Sequence, residues 1–184
     1  MSEKYKVIDS TIPTFITLTL VGWVDLFIRP VYSEVIDRAL NYCISNKGLQ
    51  VHGYVYMTSH LHLIVSSVTE ELQNVIRDFK KFTSKELIKV IKEHPESRRE
   101  WLLNKFSYEA KRTRRAVNYK VWQDGFHPVL LDTVKKIEQR LNYIHYNPKE
   151  AGFIYHERDW VNSSYVVYEE DNKEMCNVNI VPLW

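Results

Sequence analysis

Residues 54–67, YVYMTSHLHLIVSS, constrain the fold of this chain more than any other stretch. Apolar residues at nearly every position, with histidines two apart, are typical of a buried β-strand, in which successive side chains alternate between faces. His60, His62 and Ile64 then share one face. Burying an unpaired polar group costs about 1–3 kcal/mol, so the pair needs polar partners or a ligand. The motif alone indicates either a metal site or two histidines on a solvated sheet face.

The composition is that of one domain. The chain has 184 residues, 45% of them hydrophobic, which is enough to bury a core. A formal net charge of +2 is too small to indicate a polyanionic partner by itself. Cys43 and Cys176 form no disulfide framework and no C-x-x-C motif. The sequence shows neither a signal peptide nor an apolar run of membrane-spanning length, so we expect a soluble cytoplasmic protein.

The first part of the chain predicts a strand, a helix and a hairpin. Apolar residues alternate with threonines over residues 15–20, which is typical of a half-buried strand. Pro30 then opens a helical pattern that ends near Gly48 as a C-cap. Residues 49–57 are rich in β-forming types, and Thr58 with Ser59 fits a two-residue turn into the histidine strand.

A second helix and a basic segment follow. Residues 67–70, SVTE, fit a capping box, and apolar residues then recur at helical spacing. Arg77 and Lys81 lie on the other side of that helix, where charges form either a solvated face or a track for phosphates. Between residues 93 and 118 the periodicity is lost and cations are dense, which predicts a mobile basic loop or irregular insertion.

Another strand and helix complete the predicted fold. Residues 119–122 are assigned to the fourth strand, and Asp132 or Thr133 caps a third helix. We expect its regular part to end at Asn147, because a residue before proline is pushed away from the α region. The order of elements predicts an α+β fold of the ferredoxin-like or RRM-like sandwich type, with an antiparallel sheet and helices on one face.

A polar stripe runs beside the apolar seam of the third helix. Lys136, Arg140, Tyr143 and Asn147 follow at spacings of four, three and four residues, so they share one helix face. A helical tyrosine beside a core seam is more often a packing residue than a catalytic one. Tyr146 is the obvious rival, but it points away from Asn147, which favours Tyr143.

Five blocks of the sequence carry a resemblance. In chain order they read YVYMTSHLHLIVSS, IRDFKKFTSK, VWQDGFHPVLL, LNYIHYNPKEAGFI and RDWVNSSYVVYEE. Together they resemble the single-tyrosine HUH transposases of insertion sequences, and most of all the branch of REP-associated tyrosine transposases. The similarity runs from residue 15 to the C-terminus. One departure is Thr58-Ser59, which stands where the family usually has Pro-Asn.

The resemblance implies cleavage and rejoining of single-stranded DNA through a 5′-phosphotyrosine intermediate. Carried over residue by residue, His60 and His62 are the metal ligands, Tyr143 is the nucleophile and Asn147 supplies a third ligand. A phenol with an ordinary pKa of about 10 needs a nearby cation to react as phenolate, and a divalent metal also polarises the scissile phosphate. Two imidazoles and an amide oxygen suit Mg²⁺ or Mn²⁺. The implied partner is single-stranded DNA with a hairpin, and relatives include monomers and homodimers.

Clustered cations are the candidates for holding DNA. They are Arg77, Lys81, Lys111, Arg112, Arg114, Arg115, Lys136 and Arg140. For the helix residues among them a solvated surface is the plainer interpretation. His127 and His145 are interpreted as surface or supporting residues.

Residues 1–155 are predicted to form the transposase domain, including the basic insertion at 93–118, and residues 156–184 a C-terminal extension packed on it. Two other functions stay open. One is a non-catalytic relative that binds structured DNA or RNA, and the other is a metal nuclease that activates water and forms no covalent intermediate.

Overall fold

Four strands form one antiparallel sheet. The structure, a computed structural model, describes residues 7, 9–114 and 116–184. The strands are β1 (Thr14–Thr19), β2 (Leu49–Tyr56), β3 (His60–Ser67) and β4 (Val129–Leu130), in the spatial order β2-β3-β1-β4. Every neighbouring pair is antiparallel. The order is that of a ferredoxin-like sheet, so the predicted α+β class is confirmed.

Helices cover both faces of this sheet. They are α1 (Pro30–Lys47), α2 (Leu72–Glu93), α3 (Arg99–Thr113), α4 (Val134–Glu150) and α5 (Tyr165–Glu169). The main core joins one face of the sheet to α1 and α2, the two helices of the predicted layer. On the opposite face a smaller core joins α4 to the sheet through Leu141, Ile144, Phe15 and Ile64. This added layer exists because the second face also carries apolar side chains that must be shielded from water.

The prediction of an irregular loop over residues 93–118 is wrong, since most of that segment is helix α3. Leu102, Phe106 and Ala110 are fully buried at spacings of four residues, so they give the helix one apolar face. Dense charge on the remaining positions hides this narrow stripe from a sequence pattern. The helix ends at Thr113 and is capped by Arg114, which adopts a left-handed conformation with φ of 54°.

The fourth strand also differs from its prediction. Residues 119–122 contribute a single β-bridge, Leu20 to Trp122, whereas β4 pairs with Thr14 and Phe15. The Lys120 N–H donates to the Phe106 carbonyl at 3.0 Å, so this segment is tied to α3 as well as to the end of β1. Its backbone bonds are therefore divided between two elements, and no regular ladder forms.

Two predicted helix boundaries are corrected. Ser67 does not begin a capping box, because it still pairs with Leu49 in the sheet, and α2 begins at Leu72. The last predicted helix does not end at Asn147 but runs through Pro148 to Glu150. A proline in the last turn removes one hydrogen bond at most, and the Ala151 N–H still donates to the Asn147 carbonyl at 2.9 Å.

The C-terminal residues line the outer edge of β2. Ser163 and Ile180 form β-bridges to Val55 and Val51. The Trp160 indole N–H donates to the Tyr56 carbonyl at 2.9 Å. These contacts hold the 156–184 segment against the sheet, while the proposed domain boundary stays a prediction. Among the described residues no helix is long and apolar enough to cross a membrane.

Candidate active site

The two histidines of β3 lie on the face of the sheet that α4 covers. In the register of the sheet His60 is opposite Thr19 and His62 is opposite Thr17 on β1. Directly paired residues present their side chains to the same face, so the four side chains form one polar patch. The centroids of the two imidazole rings are 4.7 Å apart. This separation brings the rings close enough to share a ligand.

One ring nitrogen of each histidine has a hydroxyl partner. The Thr17 Oγ1 lies 2.9 Å from Nδ1 of His62, and the Ser59 Oγ lies 3.3 Å from Nδ1 of His60. The His62 Nε2 is buried and has no hydrogen-bond partner within the described part of the chain. An orphaned buried polar atom carries a desolvation cost, which a ligand at this nitrogen would relieve.

Both imidazoles are held neutral at physiological pH. Burial lowers the pKa of His60. Burial, with smaller contributions from His60 and Arg140, lowers the pKa of His62 to about 3. Metal-binding histidines must be neutral, so the protonation state is the one that ligation requires.

Helix α4 brings Tyr143 against this pair. The Tyr143 ring lies 5.4 Å from the His62 ring and 6.0 Å from the Phe15 ring, edge-on to both. It is 38% exposed, so a substrate can reach it. Asn147 follows one helical turn later on the same face and is half-buried. The structure thus unites the predicted nucleophile with the predicted histidine ligands in one chain.

The close approach of α4 to the sheet depends on Gly53. A Cβ at this position would lie 2.9 Å from Cδ1 of Leu141 and 3.2 Å from Cδ1 of Ile144. Because Gly53 has no side chain, α4 can pack closely against β2. This close packing sets the distance between Tyr143 on α4 and His62 on β3.

A cleft of about 380 Å³ opens beside Tyr143. Its walls include Lys136, Gln139 and Arg140 of α4, together with Val129 of β4 and Leu131 just after that strand. The Arg140 guanidinium carbon lies 4.8 Å from the Phe15 ring centroid and 5.8 Å from that of Tyr143. Lys136 is instead paired with Asp132 at 2.7 Å. Of these two cations, Arg140 is therefore the one that faces the Tyr143 ring.

These residues fit a divalent cation in their chemistry. The orphaned Nε2 of His62, the neighbouring neutral His60 and the amide of Asn147 are a mixed nitrogen and oxygen donor set. No cluster of three or more His, Cys, Asp or Glu side chains occurs in the described ranges. Any further ligand would therefore be an amide, a hydroxyl, water or the substrate.

The other predicted DNA-binding cations are not gathered at this site. Arg77 and Lys81 lie on α2, in the layer on the other face of the sheet, and Arg77 pairs with Asp78 at 3.0 Å. Lys111, Arg112 and Arg114 lie at the end of α3, where Arg112 pairs with Glu109 at 2.7 Å. Arg115 lies outside the described residues.

Two side chains of α4 that are close to Tyr143 in sequence, His145 and Tyr146, lie outside the candidate site. His145, interpreted from sequence as a surface or supporting residue, is 6% exposed, and its Nε2 lies 2.9 Å from the Ser164 Oγ. It ties α4 to the C-terminal segment. Tyr146 is 48% exposed and lies under the Lys149 ammonium group at 5.5 Å, away from the histidines.

Sequence reasoning missed Thr17, Phe15 and Trp23. Thr17 and Phe15 contact His62 directly, and Trp23 contacts His60 edge-on at 5.4 Å. Phe15 and Thr17 are two residues apart in β1, and the alternation of side chains along a strand places them on one face. Which β3 residue each would meet depends on strand register, which a single strand pattern does not contain.

Comparison with known proteins supports the fold by structure alone. No family model and no curated protein matches the chain. The structure of a REP-associated tyrosine transposase bound to a REP hairpin is similar, with a TM-score of 0.64 and 17% identity over 90% of this chain and 83% of that one.

Two further solved structures are less similar. A candidate transposase from Deinococcus radiodurans R1 gives a TM-score of 0.45 at 12% identity, over 78% of this chain and 92% of that one. A bacterial tRNA(His) guanylyltransferase (Thg1)-like protein in complex with ATP gives 0.40 at 8% identity, over 92% and 72%. The fold of this chain is therefore similar to that of the REP-associated tyrosine transposase, in agreement with the resemblance of its sequence motifs.

Proposed function

We propose that this protein is a transposase-type enzyme that cleaves and rejoins single-stranded DNA through Tyr143. The observation that carries the proposal is the contact of the Tyr143 ring with His62 at 5.4 Å, where the buried Nε2 of His62 has no partner among the described residues. A phenol next to a prospective metal site is the arrangement that nucleophilic attack on phosphate needs.

A hairpin-bearing DNA strand is the proposed substrate. The similar solved structure is that of a REP-associated tyrosine transposase bound to a REP hairpin, and the five motif blocks of this chain resemble the same family. Fold similarity at 17% identity does not transfer a substrate, so the hairpin rests on the two observations together.

The covalent step is an in-line displacement at phosphorus. The Tyr143 oxygen forms a bond to the phosphorus, the bond from phosphorus to the 3′ oxygen breaks, and that oxygen takes a proton to leave as a 3′-OH. The phenol proton passes to water, which reaches the half-exposed ring. Arg140, 5.8 Å from the ring centroid of Tyr143, is positioned to stabilise the charge that builds on the phosphate oxygens.

His60, His62 and Asn147 are the residues that would hold a divalent cation. The chemistry it supplies when bound is Lewis-acid polarisation of the phosphate. The imidazoles tolerate Mn²⁺ as well as Mg²⁺. What the chain itself contributes is a neutral imidazole pair, of which His62 is buried and His60 half-buried, oriented by the hydroxyls of Thr17 and Ser59.

A single chain contains all of the proposed groups. Tyr143 contacts His62 of its own chain, so the proposed chemistry needs no tyrosine helix from a second copy. A homodimer remains compatible with this arrangement, but its subunits would each carry a complete site.

The test is a covalent-adduct assay. Hairpins with single-stranded flanks of randomised sequence are labelled at the 3′ end, because the tyrosine would keep the 5′ phosphate of that fragment. They are incubated with Mn²⁺ or Mg²⁺ and separated on a denaturing gel. We expect a metal-dependent protein-linked band for wild type and for Tyr146→Phe, the matched control from the next turn of α4, but none for Tyr143→Phe.

Other results have definite meanings. Retention of the band in Tyr143→Phe would overturn the nucleophile assignment. Cleavage without a linked band would favour a nuclease that activates water. Hairpin binding without cleavage across the whole pool would favour a non-catalytic binding module.

A further inference from the structure

Trp23 projects from a short turn directly beside the histidine pair. The turn, a 3-10 helix at Val21–Trp23, follows β1. The Trp23 ring is 5.4 Å from the His60 ring at 76°, and the residue is 60% exposed. A large aromatic side chain with most of its surface in water, next to a candidate reaction centre, has a free face available for contact.

The turn is firmly held. Trp23 adopts a φ of 53°, a conformation that L-residues other than Asn and Asp rarely take. The Val21 N–H donates to the Val121 carbonyl at 2.8 Å, and the Trp23 N–H donates to the Leu20 carbonyl at 3.2 Å. Residues that the surrounding structure holds in such strained conformations cluster at active sites and ligand-binding sites.

A cation lies over the same turn. Gly22 has a φ of 66°, and a Cβ at this position would collide with the end of the Lys105 side chain. Gly22 thus lets the Lys105 ammonium end, which is carried by α3, lie against the turn that presents Trp23. An aromatic side chain at one position of a turn and an ammonium group against the preceding residue match a nucleotide, which offers a base to stack and a phosphate to pair.

We infer that Trp23 is a stacking platform for an unpaired base next to the cleavage point, and that Lys105 contacts an adjoining phosphate. This inference rests on the proposed function, because His60 is the reference point that puts the base beside the scissile phosphate. Stacking on the exposed indole requires no particular DNA sequence, because every base has a π-face.

A plainer role for the indole is support of the His60 ring. The two roles differ in what a Trp23 variant loses. Support of His60 would be felt in metal binding without DNA, whereas stacking would be felt only by a ligand that carries bases. The test therefore measures both.

The binding experiment uses oligothymidylate of about ten nucleotides, in the range of single-strand site sizes, and an abasic strand of the same length, both in EDTA. Fluorescence anisotropy gives the dissociation constants. We expect Trp23→Ala to weaken oligothymidylate binding about five- to hundredfold and to leave abasic binding unchanged, while Trp23→Phe retains most of the affinity.

Two further variants complete the set. Trp184→Ala is the control, because Trp184 is 66% exposed but packs on Tyr168 in the C-terminal segment. It should bind as wild type does. Lys105→Met should weaken binding of both strands by a similar factor, since phosphates are common to them.

The inference is overturned if wild type binds the two strands equally, or if Trp23→Ala weakens both alike. It is also overturned if Trp23→Ala abolishes the Mn²⁺-induced rise in melting temperature, which would assign the indole to support of His60. Failure of the proposed function would look different, because base-dependent binding through Trp23 would persist while no linked band formed.

Discussion

The hydroxyl oxygen of Thr17 lies 2.9 Å from Nδ1 of His62. When Nδ1–H donates a hydrogen bond to this hydroxyl oxygen, the lone pair of the ring is on Nε2, the buried nitrogen that has no partner among the described residues. A hydrogen bond to one nitrogen that selects the tautomer for the other is how metal-binding histidines are oriented.

Thr17→Val should therefore weaken metal binding. Valine keeps the shape of the side chain and removes only the hydroxyl, so the His62 ring loses its tautomer preference. We expect metal affinity to fall about 10- to 100-fold, which is the usual effect of removing such a partner. The measurement is the rise in melting temperature with Mn²⁺ concentration in the absence of DNA.

Thr17→Ser is the matched control, since it retains the hydroxyl and should follow wild type. An unchanged Mn²⁺ midpoint in Thr17→Val would show that the hydroxyl does not orient a ligand.

Arg140→Met should slow the covalent step. The variant retains the apolar packing on Phe15 but loses the charge that lies 5.8 Å from the Tyr143 ring centroid. We expect single-turnover formation of the linked product to fall about 100-fold, the lower range for loss of a transition-state donor.

Lys136→Met is the comparison, because Lys136 lines the same cleft but is half exposed and paired with Asp132. It should change the rate only severalfold. Equal losses in both variants would mean that the cleft needs general positive charge rather than Arg140 in particular.

Gly53→Ala should push α4 off the sheet. The added methyl would meet Leu141 at 2.9 Å, and Gly53 has no positive φ, so crowding is the only cause of damage. We expect a loss of about 1–3 kcal/mol in the free energy of unfolding, which is the usual cost of overpacking. Urea denaturation measures it.

Gly53→Ala should also slow adduct formation, because a shift of about 1 Å at a reacting group can cost about 100-fold in rate. Combining Gly53→Ala with Leu141→Val restores room, so the double variant should lose less stability than the two single losses added together. Strict additivity would show that the two side chains do not compete for this space.

His145 should make the protein acid-sensitive. Burial lowers its pKa to about 4, below the ordinary value of 6.5. As pH falls the unfolded chain takes up the proton first, so this contribution to stability is complete above pH 6.5 and is lost toward pH 4. Between pH 7.5 and 5 the loss attributable to His145 should be about 1–2 kcal/mol.

His145→Gln can still hydrogen-bond to Ser164 and has no titrating proton. Its unfolding free energy, measured by urea denaturation in EDTA, should fall less than that of wild type over this interval. Parallel decreases would assign the acid sensitivity to other groups.

The residues of the candidate site were accessible to sequence reasoning because their geometry is local. Two residues separated by one share a strand face, and Tyr143 and Asn147 share a helix face. That the histidine strand β3 and the tyrosine helix α4 lie together was implied by the resemblance of the motifs. The contacts of Thr17 and Trp23 with the histidines are not local, since they follow from the pairing of β1 with β3.

Departures from simple periodicity explain the remaining differences. Val51 and Tyr54 both enter the main core although they are three residues apart, because the ladder of β2 shifts register between Val51 and Gly53. Such a bulge turns Gly53 toward α4. In α3, three buried apolar residues among many charges specify a helix that charge density conceals.

The bridges from Ser163 and Ile180 to β2 also bear on how the molecule behaves in a crowded solution. An uncovered outer strand offers free N–H and C=O groups to any other extended chain, which is the usual route to edge-to-edge aggregation. The C-terminal segment occupies part of that ladder itself. It thereby protects this edge from pairing with a second copy of the chain. A shortened chain that lacks the segment would be prone to aggregate, even though every residue of the proposed reaction centre would still be present.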